Sequence, residues 1–239
     1  MQKETKYYGI HACLALFEKR PQDVIRVYLD ESNVKTFSPL LKWCAKERKA
    51  YHIIPPAELD KVSDSIHHEG VCILAKELPS LSDEALQKKL PEQTCLLYLD
   101  GVENPHNLGS ILRTAAHFGI PYILGENLHL SASACRIAKG GAELVRLVSL
   151  KRPKETLARL QAQGFALIAT SAHQGDSLYR SPLPPRAIFA IGSESTGLKS
   201  AFLKRARVIR IPGTGAIESL NVAVATALCI GEYQSQHGK

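Results

Sequence analysis

The feature of this 239-residue chain that most limits its fold is a series of short apolar runs beginning at residue 94. The runs are CLLYLD, PYILG, LVRLVSL, FALIAT, AIFAIG and VIRI, and helical patterns such as LGSILRTAAHFG and KETLARLQAQG lie between them. Short continuous apolar runs are typical of strands buried on both faces, and their alternation with helices is typical of a parallel sheet. The pattern predicts an α/β domain over residues 94–239, with helices on both faces of its sheet.

A shorter alternation predicts a second, smaller α/β domain over residues 1–77. VIRVYL, YHII and GVCILAK are predicted strands, and SPLLKWCAKERK is a predicted amphipathic helix. Between the two domains, residues 78–93 are mostly polar and are flanked by Pro79 and Pro91. This composition favours a linker that forms at most a short helix.

The basic charge of the chain lies in its C-terminal part. Residues 94–239 hold 16 Lys and Arg against 9 Asp and Glu, whereas residues 1–93 hold 14 of each, and the net charge is +7. Such an excess attracts polyanions and indicates RNA or DNA as a partner. No apolar run approaches the roughly 18 residues of a membrane span, and the charged start MQKETKYYGI lacks the apolar core of a secretory signal, which predicts a cytoplasmic protein.

The cysteines argue against a metal centre. The six of them, at positions 13, 44, 72, 95, 135 and 229, form no C-x-x-C pair and lie mostly among apolar neighbours. Structural zinc sites draw their ligands from close Cys or His pairs, and His67 and His68 have no cysteines at such spacing. We therefore expect buried, reduced thiols and no metal ion.

Three predicted strands are each followed by a loop of polar residues and glycine. Parallel sheets bind ligands at the carboxyl ends of their strands, so these loops are the candidate sites. In the first loop, Asn107 is expected to cap a helix that begins near Leu108, Gly109 permits a close approach, and Arg113 lies about one and a half turns further on a compatible side. The structural alternative is a capped helix whose arginine pairs with a phosphate or carboxylate for stability alone.

The second and third loops carry further candidates. Gly192 ends a strand, and a carboxylate at Glu194 could orient an arginine through bidentate hydrogen bonds, although an exposed turn glutamate is the simpler alternative. The third loop consists of Pro212 and Gly213-Thr214-Gly215. It precedes a helix that is expected to open with Glu218, Ser219, Leu220 and Asn221. Backbone amides at this turn could hold an adenine, a ribose or a carboxylate. The pattern in the third loop is G-x-G-x-x-E, which differs from the G-x-G-x-x-G fingerprint of dinucleotide-binding proteins and disfavours dinucleotide binding there. The sequence also contains no P-loop motif.

Taken together and in order, the three loops resemble the motifs of the SpoU-type, TrmH-like branch of the SPOUT superfamily of RNA methyltransferases. The motif N-x-G-x-x-x-R is present as Asn107, Gly109 and Arg113; G-x-E-x-x-G as Gly192, Glu194 and Gly197; and an I-P segment followed by S-L-N as Ile211, Pro212, Ser219, Leu220 and Asn221. Three motifs in the right order and context rarely coincide by chance. The segments YYGIHACLALFEKRP and HHEGVCILAK also resemble the family's small substrate-binding domain. One departure is the Gly213-Thr214-Gly215 loop, where relatives commonly carry Met after the proline.

The resemblance implies a fold, a reaction and a cofactor. It implies a knotted (trefoil) parallel-sheet methyltransferase domain that forms a homodimer, preceded by a small α/β substrate-binding domain. The implied reaction transfers a methyl group from S-adenosylmethionine to a ribose 2′-hydroxyl in RNA, either rRNA or tRNA, without a metal. The final segment SLNVAVATALCIGEY, apolar almost all round, fits burial against the sheet and a second subunit, or equally a plain core helix.

The resemblance also assigns roles to individual residues. Arg113 would assist deprotonation of the hydroxyl or anchor the adjacent phosphate, Glu194 would orient the site, and Asn107, Ser219 and Asn221 would position the RNA and the arginine. The cofactor would contact backbone groups of Gly192, Ile211 and Leu220.

In the N-terminal domain, two groups of residues have both a functional and a structural interpretation. Arg20, Arg48 and Lys49 either select the substrate or form a solvated face, and His67 and His68 either face RNA or are ordinary surface histidines. Two rival functions remain at this stage: an RNA-binding protein that has lost turnover, and a nucleotide-dependent oxidoreductase that uses the Gly213 loop. Retention of all five polar motif residues argues against the first, and comparing S-adenosylmethionine with NAD in a thermal-shift experiment would test the second.

Overall fold

A computed structural model describes residues 3–87, 90–193, 197–198 and 205–238 of the chain. The chain divides into two compact units, one formed by Met1–Pro79 with Leu130–Leu144 and the other by Ser80–His129 with Val145–Lys239. The strands are β1 (Glu4–Tyr8), β2 (Val24–Leu29), β3 (Ala50–Ile53), β4 (Val71–Lys76), β5 (Leu81–Ser82), β6 (Thr94–Asp100), β7 (Tyr122–Gly125), β8 (Arg146–Ser149), β9 (Ala166–Thr170), β10 (Asp176–Ser177), β11 (Arg186–Gly192) and β12 (Arg207–Arg210). The helices are α1 (Ile10–Lys19), α2 (Ser38–Lys46), α3 (Pro56–Ser63), α4 (Pro105–His117), α5 (Ala132–Ile137), α6 (Pro153–Ala162) and α7 (Val222–His237).

The first unit is built on a four-stranded sheet in the order β1-β4-β2-β3. Strand β4 runs antiparallel to β1 and β2, and β3 runs parallel to β2 and forms the edge. Buried Val27 and Leu29 alternate with Arg26 and Tyr28 along β2, which is the period of a strand, and Val24 is buried beyond a register shift between Val24 and Arg26. All three strands predicted in this region are confirmed, with ends that agree to within one residue.

Residues 130–144 join this first unit, although they follow β7 in sequence. The small residues Gly140 and Ala15 allow a close approach, since a Cβ atom on Gly140 would lie 3.0 Å from the Ala15 Cβ. Glu143 accepts hydrogen bonds from Nε and Nη2 of Arg20 at 2.8 and 3.0 Å. The sequence groups these residues with 94–239, because contacts made at such a separation along the chain leave no local pattern.

Arg20 is part of the interior of the first unit. It is 5% exposed, its Nη1 donates to the Lys76 carbonyl at 2.7 Å, and its guanidinium lies 4.9 Å from the centre of the Tyr7 ring. Burial acts to lower the pKa of this guanidinium, but the hydrogen bonds and charge of Glu143 outweigh it and the pKa is raised. Both interpretations from the sequence, substrate selection and a solvated face, are therefore wrong for Arg20, because its hydrogen-bonding groups face partners inside the protein.

Of the two adjacent histidines, only His68 differs from expectation. His68 is buried; its Nδ1 accepts from the Gly70 amide at 2.9 Å, and its Nε2 lies 3.1 Å from Oδ1 of Asp60. Since Nδ1 is an acceptor, the proton belongs on Nε2, facing the carboxylate. His68 is a structural histidine of the turn before β4, whereas His67 is exposed.

The second unit contains an eight-stranded sheet in the order β10-β12-β9-β11-β6-β7-β8-β5, with parallel strand pairs throughout. Leu157 and Leu160 of α6 pack in the core cluster that covers one face of the sheet. On the other face, Phe189 of β11 makes an edge contact with Tyr233 of α7. The predicted parallel sheet with helices on both faces is confirmed.

Within residues 78–93, predicted as a linker, the described residues from Ser80 onwards belong to this second unit. Leu81 and Ser82 pair with β8 as an edge strand, and a 3-10 helix follows at Asp83–Gln87. Leu86 and Leu90 are buried in the same core cluster as α6. Three leucines among polar residues are enough to fix the segment to the sheet, which composition averaged over the whole segment does not reveal.

All six cysteines are free and buried, as predicted. Burial raises the pKa of the Cys72 thiol to about 11 and that of Cys229 to about 12, which keeps both thiols in their unreactive protonated form at neutral pH. Within the residues that the structure describes, no helix is both long and apolar enough to cross a membrane.

Candidate active site

The site lies where β6, β11 and β12 end. Strands β6 and β11 are adjacent, and their last residues, Asp100 and Gly192, are register partners. Strand β12 follows two positions along, beyond β9, and runs in the same direction. Because these strands are parallel, their three loops emerge at the same edge of the sheet, where ligands bind in folds of this kind.

Helix α4 begins earlier than predicted. Asn104, not Asn107, is its N-cap: the side-chain oxygen of Asn104 accepts from the His106 amide at 2.8 Å, and Pro105 occupies the first helical position. Proline is favoured there because its missing N–H would have no partner and its φ is already helical. The prediction for Asn107 as a cap is therefore wrong, and Asn107 lies inside the first turn, where it is only 8% exposed.

A hydrogen bond joins the first and third motifs. Nδ2 of Asn221 donates to Oδ1 of Asn107 at 3.0 Å. The oxygen of the same Asn221 side chain accepts from the amides of Ala223 and Val224 at 2.9 and 3.3 Å, so Asn221 is the N-cap of α7. Since the cap bonds fix which end of the amide carries the oxygen, the NH₂ group must face Asn107.

The sequence predicted that the last helix opens with Glu218, Ser219 and Leu220. In the structure these three residues precede α7 instead. Capping by Asn221 explains the difference, because a capping side chain holds its own backbone outside the helix. Ser219 and Leu220 are exposed, and Leu220 retains 47% of its surface.

Arg113 lies on a different face of α4 from Asn107. Six residues along a helix correspond to about 600°, which leaves the two side chains roughly 120° apart, so the expected compatible side is not realised. Arg113 is exposed, and it makes no hydrogen bond or ion pair with any residue in the described part of the chain. Its guanidinium is available to an external anion.

Gly192 lies against the backbone of Gly197 and Leu198. The Gly197 amide donates to the Ser193 carbonyl at 3.0 Å, and Gly197 has a φ of +61°. Any Cβ atom on Gly192 would overlap the backbone of Gly197 and Leu198. The close approach at Gly192 and the positive φ of Gly197 therefore both favour glycine, while Glu194 lies outside the described residues.

The loop after β12 offers open backbone groups. Ile211 is half-buried and residues 212–220 are exposed. Among the described residues, the backbone of 212–220 forms no hydrogen bond to other backbone groups, and the Ala216 amide bonds only to Oγ1 of Thr214, at 3.4 Å. Donors and acceptors held at a strand end in this way fit a nucleoside-containing cofactor, whose polar edges need such partners.

Asp100 is a residue that the loop motifs did not single out. Its carboxylate is only 5% exposed at the end of β6, in register with Gly192. Burial raises the pKa of the nearby Tyr98 phenol, and the charges of Asp100 and Glu126 raise it further. An acidic residue at the end of the otherwise apolar run CLLYLD is the sequence signal that could have identified it.

The groups at this edge are suited to catalysis by positioning of the reactants. Within the described ranges, no group of three or more His, Cys, Asp or Glu side chains could hold a metal ion. The described part of the edge offers glycine-lined backbone and two mutually oriented amides, and Arg113 on α4 adds a guanidinium that has no partner among the described residues. These groups can align two reactants and bind an anion.

Comparison with known proteins identifies the family. The model of the SpoU rRNA Methylase family matches residues 94–231, and the model described as RNA 2'-O ribose methyltransferase substrate binding matches residues 7–81. Together they cover both units of the chain.

Individual relatives agree with these matches. The chain is 36% identical over 238 residues to an uncharacterized tRNA/rRNA methyltransferase, YfiF, of Escherichia coli, covering 98% of this chain and 69% of that protein. It is 31% identical over 236 residues to the 23S rRNA (guanosine-2'-O-)-methyltransferase RlmB of Salmonella typhimurium, covering 96% of this chain and 97% of RlmB.

A solved structure shows the same fold. The SpoU methyltransferase AviRb of Streptomyces viridochromogenes, solved in complex with the cofactor AdoMet, aligns with a TM-score of 0.78 at 21% identity, over 98% of this chain and 90% of AviRb. The methylase model matches more than half of the residues, and the chain belongs to the SpoU rRNA methylase family.

Proposed function

We propose that this protein transfers a methyl group from S-adenosylmethionine to a ribose 2′-hydroxyl of rRNA or tRNA. The observation that carries the proposal is the 3.0 Å hydrogen bond between Asn107 and Asn221, which joins two sequence motifs at the strand edge that holds Gly192. The names of the relatives support the choice of reaction, since RlmB is a guanosine-2'-O-methyltransferase of 23S rRNA. AviRb, with the same fold, binds AdoMet.

Each group at the edge has a task in this reaction. Bound S-adenosylmethionine supplies an electrophilic methyl group on a sulfonium. Backbone groups of Gly192, Ile211 and Leu220 hold the cofactor, which is why these positions need little side-chain chemistry. Glu194 orients the site, and Asn107, Ser219 and Asn221 hold the ribose so that its 2′-oxygen lies in line with the methyl–sulfur bond.

Arg113 assists the loss of the hydroxyl proton indirectly. A guanidinium stays protonated far above neutral pH and cannot accept a proton itself. Arg113 instead binds the phosphate beside the ribose, and the proton leaves to that phosphate or to water as the oxygen–carbon bond forms and the carbon–sulfur bond breaks. The exposure of Arg113 and its lack of a partner among the described residues support this role.

The proposal extends to architecture and location. The second unit forms a trefoil knot, and two copies associate through it as a homodimer in the cytoplasm, where the substrate RNA is found. Exposed apolar side chains near the start of α7 support an interface there: Ile217 is 82% exposed, and Leu220 and Val224 are about half exposed.

Transfer of labelled methyl from S-adenosylmethionine to total RNA that lacks its modifications tests the proposal. We expect label in RNA, recovered after digestion as a 2′-O-methylnucleoside, and its loss in Asn107→Ala. Lys154→Ala, an exposed substitution on α6, serves as the control and should retain transfer. No transfer to any RNA together with no binding of S-adenosylmethionine would contradict the proposal and favour a non-enzymatic RNA-binding protein.

A further inference from the structure

The first unit carries an aromatic stack on its exposed sheet edge. Tyr28 of β2 and His52 of β3 are register partners on adjacent strands. Their ring centres are 5.3 Å apart and the ring planes differ by 18°, which is a stacked arrangement. Tyr28 also packs against the buried cluster of Tyr8, Leu59 and Cys72. The stack is therefore held firmly on its inner side.

The outer side of the stack is open. The sheet order ends at β3, so within the described residues no strand lies beyond His52. Every residue of β3 is exposed, His52 included. The face of the imidazole that points away from Tyr28 can accept another flat ring, and the stack would then continue by one member.

Cations lie on the sheet face that carries the stack and next to its edge strand. Arg26, on the same strand face as Tyr28, is exposed, and its Nη1 donates to the Tyr28 hydroxyl at 3.3 Å. Lys6 lies in the same row across the sheet, since Leu74 pairs with both Lys6 and Arg26. Arg48 and Lys49 immediately precede β3. The combination of a flat stack with several positive charges matches the chemistry of an unpaired nucleic-acid segment.

We propose that the platform formed by Tyr28 and His52 stacks one unpaired base of the substrate RNA, and that Arg26, Arg48 and Lys49 bind the flanking phosphates. The inference rests on the proposed function, which makes RNA the ligand. Stacking on a ring does not depend on base identity, so the platform selects unpaired over paired RNA rather than one sequence. Base-paired RNA buries its ring faces and cannot use it.

Fluorescent RNA provides a direct test with the full chain. The probe is an unstructured RNA of about 12 nucleotides that contains 2-aminopurine, a base whose emission is quenched when it stacks, and the reference is the same strand annealed to its complement. We expect the wild type to quench and bind the single strand, His52→Ala to lose the quenching and weaken binding about tenfold, and Arg26→Ala to weaken binding several-fold. Tyr28→Phe should retain the quenching, because it keeps the ring.

Tyr51→Ala is the matched control. Tyr51 precedes His52 on β3, points to the opposite sheet face and is 42% exposed, so its removal should leave quenching and affinity unchanged. Three results would overturn the platform: quenching that survives His52→Ala, equal binding of the duplex, or a loss in Tyr51→Ala as large as in His52→Ala. The last would indicate that a partner covers the edge strand rather than the ring stack.

Methyl transfer by the same samples separates this inference from the proposed function. If the wild type methylates total RNA but shows no quenching that depends on His52, the proposed function stands and the platform is refuted. If the wild type shows such quenching but methylates no RNA, the RNA-binding platform stands and the proposed function is refuted.

Discussion

Two arginines of this chain, Arg20 and Arg113, have opposite surroundings. Arg20 is buried in the first unit, and its guanidinium bonds to the carboxylate of Glu143 and to a backbone carbonyl and stands over an aromatic ring. Arg113 is exposed on α4 and bonds to no described residue. A guanidinium that finds its partners within the chain contributes to folding, whereas one with open donors is available for a ligand. The environment, not the residue type, separates the two roles.

Substitution of Arg113 should give the largest effect, and on activity alone. We expect Arg113→Ala to lower the methyl-transfer rate about 10³-fold, since it removes the phosphate anchor that assists proton loss. The free energy of unfolding should change by less than about 0.5 kcal/mol, because Arg113 is exposed and makes no hydrogen bond or ion pair with a described residue. Single-turnover transfer and urea unfolding measure the two quantities. Arg152→Ala, an exposed arginine paired with Glu155, is the control for a surface charge.

Substitution of Glu143 should give the reverse pattern. Glu143→Ala leaves the Arg20 guanidinium buried without its carboxylate, and we expect a loss of about 3 to 5 kcal/mol in the free energy of unfolding. Glu155→Ala, which breaks an exposed ion pair, should cost less than about 1 kcal/mol. Urea denaturation measures both. Replacing Arg20 and Glu143 together by leucine should restore much of the loss, and a double variant no more stable than Glu143→Ala would contradict this explanation.

Asn221 combines both roles, and two substitutions separate them. Asn221→Asp keeps the acceptor that caps α7 but cannot donate to Asn107, so stability should hold while methyl transfer falls at least about tenfold. Asn221→Ala removes both bonds and should also cost about 1 kcal/mol of stability. Thermal unfolding and transfer assays provide the readouts. Equal activity of Asn221→Asp and the wild type would show that the bond to Asn107 is not needed.

The smallest effect is expected at Arg48, where function and stability oppose each other. Arg48 has a φ of +56°, a conformation that favours glycine, so Arg48→Gly should stabilise the protein by up to about 1 kcal/mol. The same change should weaken binding of single-stranded RNA. The slope of the logarithm of the binding constant against the logarithm of the salt concentration should become less negative by about 0.7. Asp64→Gly, at a φ of +57°, should stabilise without weakening RNA binding. Undiminished binding in Arg48→Gly would remove Arg48 from the proposed RNA-binding face.

Sequence patterns predicted what depends on neighbouring residues. The apolar runs fixed the strands to within a residue or two, because burial of a whole strand leaves a continuous signal. The cap of α4 was misplaced since Asn104 and Asn107 are both good caps, and only the adjacent Pro105 distinguishes them. At the candidate site, the sequence supplied Asn107 and Asn221 as separate motif members.

Contacts between distant parts of the chain could not be predicted in this way. The bond from Asn221 to Asn107 spans 114 positions, and that from Arg20 to Glu143 spans 123. The face of α4 occupied by Arg113 followed from helix geometry only once the helix start was known. Helical spacing applies between Asn107 and Arg113 because Asn107 lies inside the helix, whereas a cap residue would not follow that spacing.

The placement of Leu130–Leu144 in the first unit has a consequence for biosynthesis. A ribosome that has translated as far as Pro79 has made Arg20 but not Glu143, and it must translate the strands β5 to β7 before that partner exists. The N-terminal unit therefore completes its interior only after the start of its neighbour has been translated. For the same reason, a gene fragment that ends at Pro79 encodes Arg20 without its carboxylate partner, whereas one that also carries Leu130–Leu144 encodes both.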